Sequence, residues 1–325
     1  MDRFGQLVTK LAANPNPDYG CVPEQRSLDK RIEAGLIILD KPAGLTSHEV
    51  ARRVKAMLQN FQVDKVGHGG TLDPNATGVL PLTLNQATRI QDVLLRARKE
   101  YVGAMHIHGD VDEDTIRTTL EGFQGQIWQM PPSRSAIKRE MRARTIDFIE
   151  ILNITARDVL FRVGCEAGTY IRTLAVDVGA ALGCGGHLTK LRRTRSGSFS
   201  EEQGLTTMDN LEDATREWRE TGSDELLLRI IRPVEAAFAS FRPIVVVDAA
   251  VHAICRGATV QARDIAQLDP EIESREEVGI FTLKGEVVAR GASLAAANDI
   301  LQAKKGHMVR TRKVYMDPGL YPEIR

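Results

Sequence analysis

With 325 residues, 42% of them hydrophobic and 26% charged, the chain has the composition of a soluble globular protein and enough length for two domains. Its formal net charge is zero, so no overall basicity marks it as a nucleic-acid binder, and no apolar run approaches the ~18–20 residues of a membrane span. Cys21, Cys165, Cys184 and Cys255 lie far apart with no C-x-x-C pair, which argues against a zinc site or a disulfide framework.

The opening "MDRFGQLVTKLAANPNPDYG" has no apolar core of signal-peptide type, and a cytoplasmic protein is expected. Pro15, Pro17, Gly20 and Pro23 make residues 1–30 read as an irregular, extended arm. "GLIILDKPAGLTSHEVARRVKAML" predicts a strand, a Pro-Gly loop and a helix, with Ser47 as N-cap and Val50, Val54 and Leu58 at helical spacing. Next, "VGHGGTLDPNATGVLPL" (66–82) sets one carboxylate, Asp73, in a run otherwise free of charged residues. Asp-Pro is ordinary turn punctuation, and that is the plain reading of the pair on its own.

"KEYVGAMHIHG" (99–109) predicts a strand and "DEDTIRTTLEGF" a short helix with acids at its positive end. Asp110, Asp112, Asp114 and Glu121 fall at calcium-loop spacing, but the sixth position is Thr115 where a glycine is needed, so a structural role is expected. "IDFIEILNITARDVLFRVGCEAG" predicts two strands around a polar turn, and "TYIRTLAVDVGAALGCGG" a helix stopped by glycines. A helix-like acidic stretch over 207–240 leads into short alternating pieces from Ile244 onward, including a hairpin turning at Lys284-Gly285. These pieces predict a small β-barrel domain of roughly 75–80 residues.

The charge is segregated. "RSAIKREMRAR" (134–144) has five basic residues against one acid, "KLRRTRSG" (190–197) four and none, and "KKGHMVRTRK" (304–313) five and none. Three such clusters lean towards an RNA or DNA partner despite the neutral total. Conventional catalytic signatures are missing: no G-K-[ST] closes the glycine loop, and no G-x-S-x-G occurs.

Six stretches, "LDKPAGLTSHEV" (39–50), "KVGHGGTLDPNATGVLPL" (65–82), "KEYV" (99–102), "PPSRSAIK" (131–138), "GTYIRTLAVDVG" (168–179) and "LRRTRSG" (191–197), closely resemble, in order, the motifs of the TruB/dyskerin family of pseudouridine synthases. "GHGGTLDP" and "NPDYGCVPEQR" resemble its archaeal, dyskerin-like branch, and the tail resembles a PUA domain, the family's small RNA-binding barrel. The resemblance implies an α+β fold: a mixed, mainly antiparallel sheet with flanking helices, plus a C-terminal PUA β-barrel. It places an N-terminal extension (1–30) against the PUA domain, the catalytic domain at 31–240 and the PUA domain at 244–325.

The same resemblance implies isomerisation of uridine to pseudouridine in RNA with neither cofactor nor metal. Asp73 matches the catalytic carboxylate, and whether it attacks covalently or removes a C2′ proton to give a glycal stays open. A carboxylate sheltered beside the ribose suits both routes, and a burial-raised pKa would need a cation to counter it. Arg172 matches the arginine that pairs with that Asp, and Tyr101 the tyrosine that stacks on the target base. His68 resembles a loop histidine that helps to place the RNA. Lys41 and Pro42 brace the active-site loop, and Leu174 lines the pocket. Lys138, Arg139, Arg142, Arg144, Arg192 and Arg193 are expected at RNA phosphates. The implied partners are a box H/ACA guide RNA, substrate rRNA and tRNA, and the small core proteins of the H/ACA ribonucleoprotein, with no membrane. The rival readings are an inactive RNA-binding scaffold and a nucleoside hydrolase.

Overall fold

The computed structural model describes residues 4–131, 138 and 140–323. The chain forms two compact units, Ile37–Ile230 and the combination of Met1–Leu36 with Ile231–Arg325. No helix among the described residues is long and apolar enough to cross a membrane.

In the first unit, strands Thr77–Leu84, Gly186–Ser196, Lys99–Ile107, Asp158–Cys165, Arg142–Thr155 and Gly125–Gln129 lie side by side in that order. Thr77–Leu84 runs parallel to Gly186–Ser196, and the remaining pairings along this path are antiparallel. The sheet is therefore mixed and mainly antiparallel, as expected. Along Lys99–Ile107 buried and half-buried residues alternate, turning Tyr101, Met105 and Ile107 into one cluster with Phe161 and Val163.

The helix Ile171–Ala181 closes the same core with Ile171, Leu174, Ala175 and Val178, the i, i+3, i+4, i+7 spacing of an apolar stripe. Gly179 lets its far end approach the neighbouring backbone: a Cβ there would stand 2.2 Å from Gly186 N and 2.4 Å from Gly185 C. Since backbone cannot give way as a side chain end can, Gly179→Ala is expected to destabilise this unit by roughly 1–3 kcal/mol. A thermal melt unchanged from wild type would contradict that close approach.

Helix Ser47–Met57 is capped by Thr46 rather than Ser47, in a reciprocal box with Glu49. Thr46 competes better because the residue three positions on is an acid that returns the hydrogen bond. Two of the "HIHGDVDED" carboxylates have structural partners at calcium-loop positions: Asp112 caps the helix Glu113–Glu121 through Thr115 N, and Asp110 pairs with Arg157.

In the second unit, seven strands are ordered Val8–Thr9, Ile265–Leu268, Arg242–Val246, Glu277–Thr282, Val287–Ser293, His307–Val314 and Val260–Gln261. They surround a core that includes Ile244, Val246, Ile280, Val288 and Val309. The N-terminal residues are less irregular than their prolines suggest. Val8 and Thr9 add a strand to the sheet edge, opposite Leu268 and Gln267, and Leu28–Glu33 is helical. Lys10 Nζ donates to Leu301 O and Ala303 O, and Tyr19 meets Tyr321 edge-on. Residues 231–240, expected with the catalytic domain, belong to this second unit, because Val234, Ala237 and Phe238 are buried there and Glu235 accepts from Val287 N.

Candidate active site

Strands Val66–His68 and Thr77–Leu84 pair antiparallel, His68 opposite Leu82, and the loop between them carries Asp73. Residues outside the loop hold it. Fully buried Lys41 donates to Pro42 O (2.9 Å), Pro74 O (2.8 Å) and Ala76 O (2.7 Å), which uses all three N–H groups of an ammonium. Burial pulls the Lys41 pKa below its usual value, with the Asp73 carboxylate opposing and Arg193 adding to the shift. Ser47, displaced from the cap, instead accepts from Leu72 N (2.9 Å) and donates to Leu72 O (3.3 Å). Gly44 N donates to Pro74 O and Ala76 N to Asp73 O. The residues on both sides of Asp73 are thus tied to separate elements, which gives the carboxylate a fixed base.

Asp73 meets Arg172 across 99 positions of sequence: Nη2 lies 2.9 Å and Nε 3.2 Å from the same oxygen, Oδ2. Oδ1 takes no hydrogen bond from a described residue. Leu72, Tyr101 and Leu174 belong to the apolar cluster that underlies this unit. The two ionic side chains nevertheless remain 50% and 53% exposed, where a sheltered carboxylate was expected. Desolvating both partners would cost more than their attraction returns, so the pair keeps its water in the free protein.

Tyr101 is 9% exposed. Burial raises its pKa, Arg193 pulls the other way, and the Asp73 charge adds to the rise. The phenol therefore keeps its proton past the pH, about 10, at which an exposed tyrosine ionises. In a spectrophotometric titration through that pH, Tyr101→Phe is expected to show the same phenolate absorbance as wild type. A loss of one tyrosine's amplitude would contradict it. As this raised pKa is a folded-state property, its stabilisation is complete below pH 10 and is lost as pH rises through the folded value.

The His68 ring packs edge-on against His48, 4.9 Å between centroids, and its buried Nδ1 has no hydrogen-bond partner among the described residues. Burial, then His48 and Arg193, lower its pKa, so the ring is neutral at pH 7. Pro42 supplies a carbonyl to the Lys41 anchor.

Of the expected phosphate contacts, Arg193 is corrected by its burial. Arg193 is 1% exposed and acts inside the protein, donating to Val79 O (2.7 Å) and Gly70 O (3.1 Å) on the Asp73 loop and its following strand. Arg192 forks onto Asp40 (2.9 and 3.0 Å) and also reaches Glu201 (2.7 Å), so two carboxylates neutralise it. The cause is topological. Their strand is flanked on both sides, so a run that reads as a solvated basic patch is spent on the core and on ion pairs. Arg144 is largely covered, donating to Ala143 O and lying 3.7 Å from Glu166. Lys138 pairs with Glu140, Arg142 is half-buried, and Arg139 lies outside the described residues. The internal roles of Arg193 and Ser47 were missed. Alternation along the strand offered a signal for the first, since Arg193 shares parity with apolar Leu191.

Comparison with known proteins gives consistent matches along the chain. Family models match for the TruB family pseudouridylate synthase N-terminal domain (58–171), the tRNA pseudouridylate synthase B C-terminal domain (172–239), the PUA domain (243–315) and the DKCLD domain (1–51). A probable tRNA pseudouridine synthase B of Methanopyrus kandleri is 49% identical over 99% of this chain and 94% of its own length. The protein of the same name from Methanothermobacter thermautotrophicus is 49% identical over 99% and 98%. Among solved structures, a chain of a Cbf5-Nop10-Gar1 complex superposes with a TM-score of 0.88 at 45% identity, covering 98% of this chain and 96% of the other. A chain of an H/ACA ribonucleoprotein bound to a substrate RNA containing 2′-deoxyuridine gives 0.87 at 44%, covering 98% and 96%.

Proposed function

Because this chain belongs to the TruB family of pseudouridine synthases, we propose that Asp73 is its catalytic carboxylate, Arg172 the counter-ion of that carboxylate, and Tyr101 the ring that meets the target base. The observation that carries this reading is the Asp73–Arg172 pair on a loop anchored by Lys41, Ser47 and Arg193. The reaction breaks the bond between ribose C1′ and uracil N1, turns the base, and joins C1′ to C5. N1 gains a proton and C5 loses one. Asp73 acts either as nucleophile or as base at C2′, and both need an ionised oxygen at the ribose, for which Oδ1 is open.

Reaching that oxygen requires the nucleotide to leave its stack, at a cost of a few kcal/mol. A base against Tyr101 recovers about 1–3 kcal/mol of it. The everted nucleotide itself then covers the half-exposed carboxylate and removes the water that the free protein leaves there. His68 beside the loop helps to place the RNA, and Leu174 lines the pocket.

The substrates are uridines of rRNA selected by a box H/ACA guide, and the T-loop uridine of tRNA. The names of the relatives support the second, and the solved complexes with Nop10, Gar1 and substrate RNA support the first and a set of small core-protein partners. Residues 37–230 carry catalysis, while 244–325 act as the PUA domain that holds the guide, with the N-terminal extension packed on it. Lys304, Lys305, Arg310 and Arg312 are exposed, as phosphate contacts require. The protein works in the cytoplasm.

Tritium release from [5-³H]uridine RNA tests this. Release is expected from tRNA alone, and from an rRNA target only with its guide and core proteins present. RNA binding without release would favour the scaffold, and free uracil would favour a hydrolase.

A further inference from the structure

Arg172 sits two residues beyond Tyr170, the N-cap of the helix Ile171–Ala181, and Tyr170 offers that helix no side-chain cap. The backbone of Tyr170 is held instead by a residue 41 positions earlier. Gln129 Oε1 accepts from Tyr170 N at 2.9 Å, and Gln129 Nε2 donates to Tyr170 O at 3.1 Å. The same carbonyl accepts Leu174 N, the first hydrogen bond of the helix. Gln129 is 2% exposed, so no water replaces these bonds if they are lost, and its amide fits because it presents a donor and an acceptor on separate atoms, one for each backbone group. It ends the Gly125–Gln129 strand, immediately before the segment that bears the first basic run.

We propose that Gln129 is a positioning residue for the isomerisation, fixing the helix start so that the Arg172 guanidinium lies against Asp73. This rests on the reading of Arg172 and Asp73 given above. It extends that reading to a side chain that touches neither the substrate nor the reacting atoms. The amide fixes the peptide of residue 170 from both directions, so the two residues that follow have little freedom. Arg172 then meets a carboxylate whose own loop is tied down separately. Core packing of Ile171 and Leu174 seats the helix, the Gln129 amide sets where its first turn begins, and displacements near 1 Å at a catalytic group can cost up to about 10²-fold in rate.

The test is single-turnover tritium release, with RNA affinity measured alongside, for wild type, Q129M, Q129E, R172A and the double variant Q129M/R172A. Q129M keeps the length and apolar packing of the side chain and loses both hydrogen bonds, and its turnover is expected to fall about tenfold with RNA affinity unchanged. Q129E keeps the acceptor for Tyr170 N and should fall between Q129M and wild type. It also serves if Q129M does not melt as a folded protein. In the R172A background Q129M is expected to add nothing, because its effect passes through Arg172. Independent, multiplying losses would show a merely structural role and overturn the proposal. A slow R172A beside a Q129M and Q129E as fast as wild type would overturn it alone. An R172A chain as fast as wild type would overturn the reading of Arg172 and this proposal with it.

Discussion

Arg172→Ala is expected to slow pseudouridine formation by about 10²-fold, on the order of 3 kcal/mol of barrier, while the affinity for RNA changes little. The size of the effect depends on where water is. In the free protein both ends of the pair are half-exposed, and an exposed ion pair is worth about 0–1 kcal/mol, so the variant should fold and melt close to wild type. Once a nucleotide covers Asp73 the surroundings lose their screening, and the guanidinium becomes the positive charge that keeps Oδ2 compensated. The loss therefore falls on kcat rather than on binding. Arg172→Lys keeps the charge but gives up the two-nitrogen contact from Nη2 and Nε, and should recover only part of the rate. A loss confined to RNA affinity, with single-turnover rates intact, would make Arg172 an ordinary phosphate contact instead.

Much of the fold was legible in the chain. The strand at Lys99–Ile107, the hairpin strands Arg142–Thr155 and Asp158–Cys165, and the helix Ile171–Ala181 all stand where periodicity and glycines placed them. Strong local periodicity made those elements readable, because a sheet alternation or an apolar helix stripe is a property of consecutive residues. What could not be read depended on long-range partners. Ser47 has the chemistry of an N-cap, but the Thr46–Glu49 box takes that place and frees it to hold Leu72. The short strand Val8–Thr9 has no signal in a proline-rich arm, since the edge at Leu268 creates it.

The site divides along the same line. Asp73, Arg172 and Tyr101 were found through motif resemblance, and the structure brings the first two into contact and sets the third where both Asp73 and Arg193 act on its hydroxyl. Arg193 was misjudged because local composition was made to stand for exposure. Of the basic residues in 190–197 only Arg193 is buried, and it became an anchor for the Asp73 loop. Carboxylates from other elements, Asp40 and Glu201, took the charge of Arg192. In the run at 304–313, Lys304, Lys305, Arg310 and Arg312 stay exposed, as phosphate contacts would require.

Asp73→Asn probes the central claim, that one ionised carboxylate does the chemistry while the surrounding protein holds it in place. The amide has almost the same shape, and the loop's anchors at Lys41, Ser47 and Arg193 touch backbone rather than this side chain, so folding and RNA binding should survive. What disappears is the negative oxygen, needed equally by a nucleophile and by a C2′ base, and a loss of at least ~10³-fold in turnover is expected. The decisive measurement is single-turnover tritium release from [5-³H]uridine-labelled guide–target RNA and tRNA, with the dissociation constant of each RNA determined for the same preparations. Wild type should release tritium from both RNAs, and Asp73→Asn should bind them as tightly and release none above background. Release by Asp73→Asn at the wild-type rate would remove Asp73 from the mechanism and contradict the account.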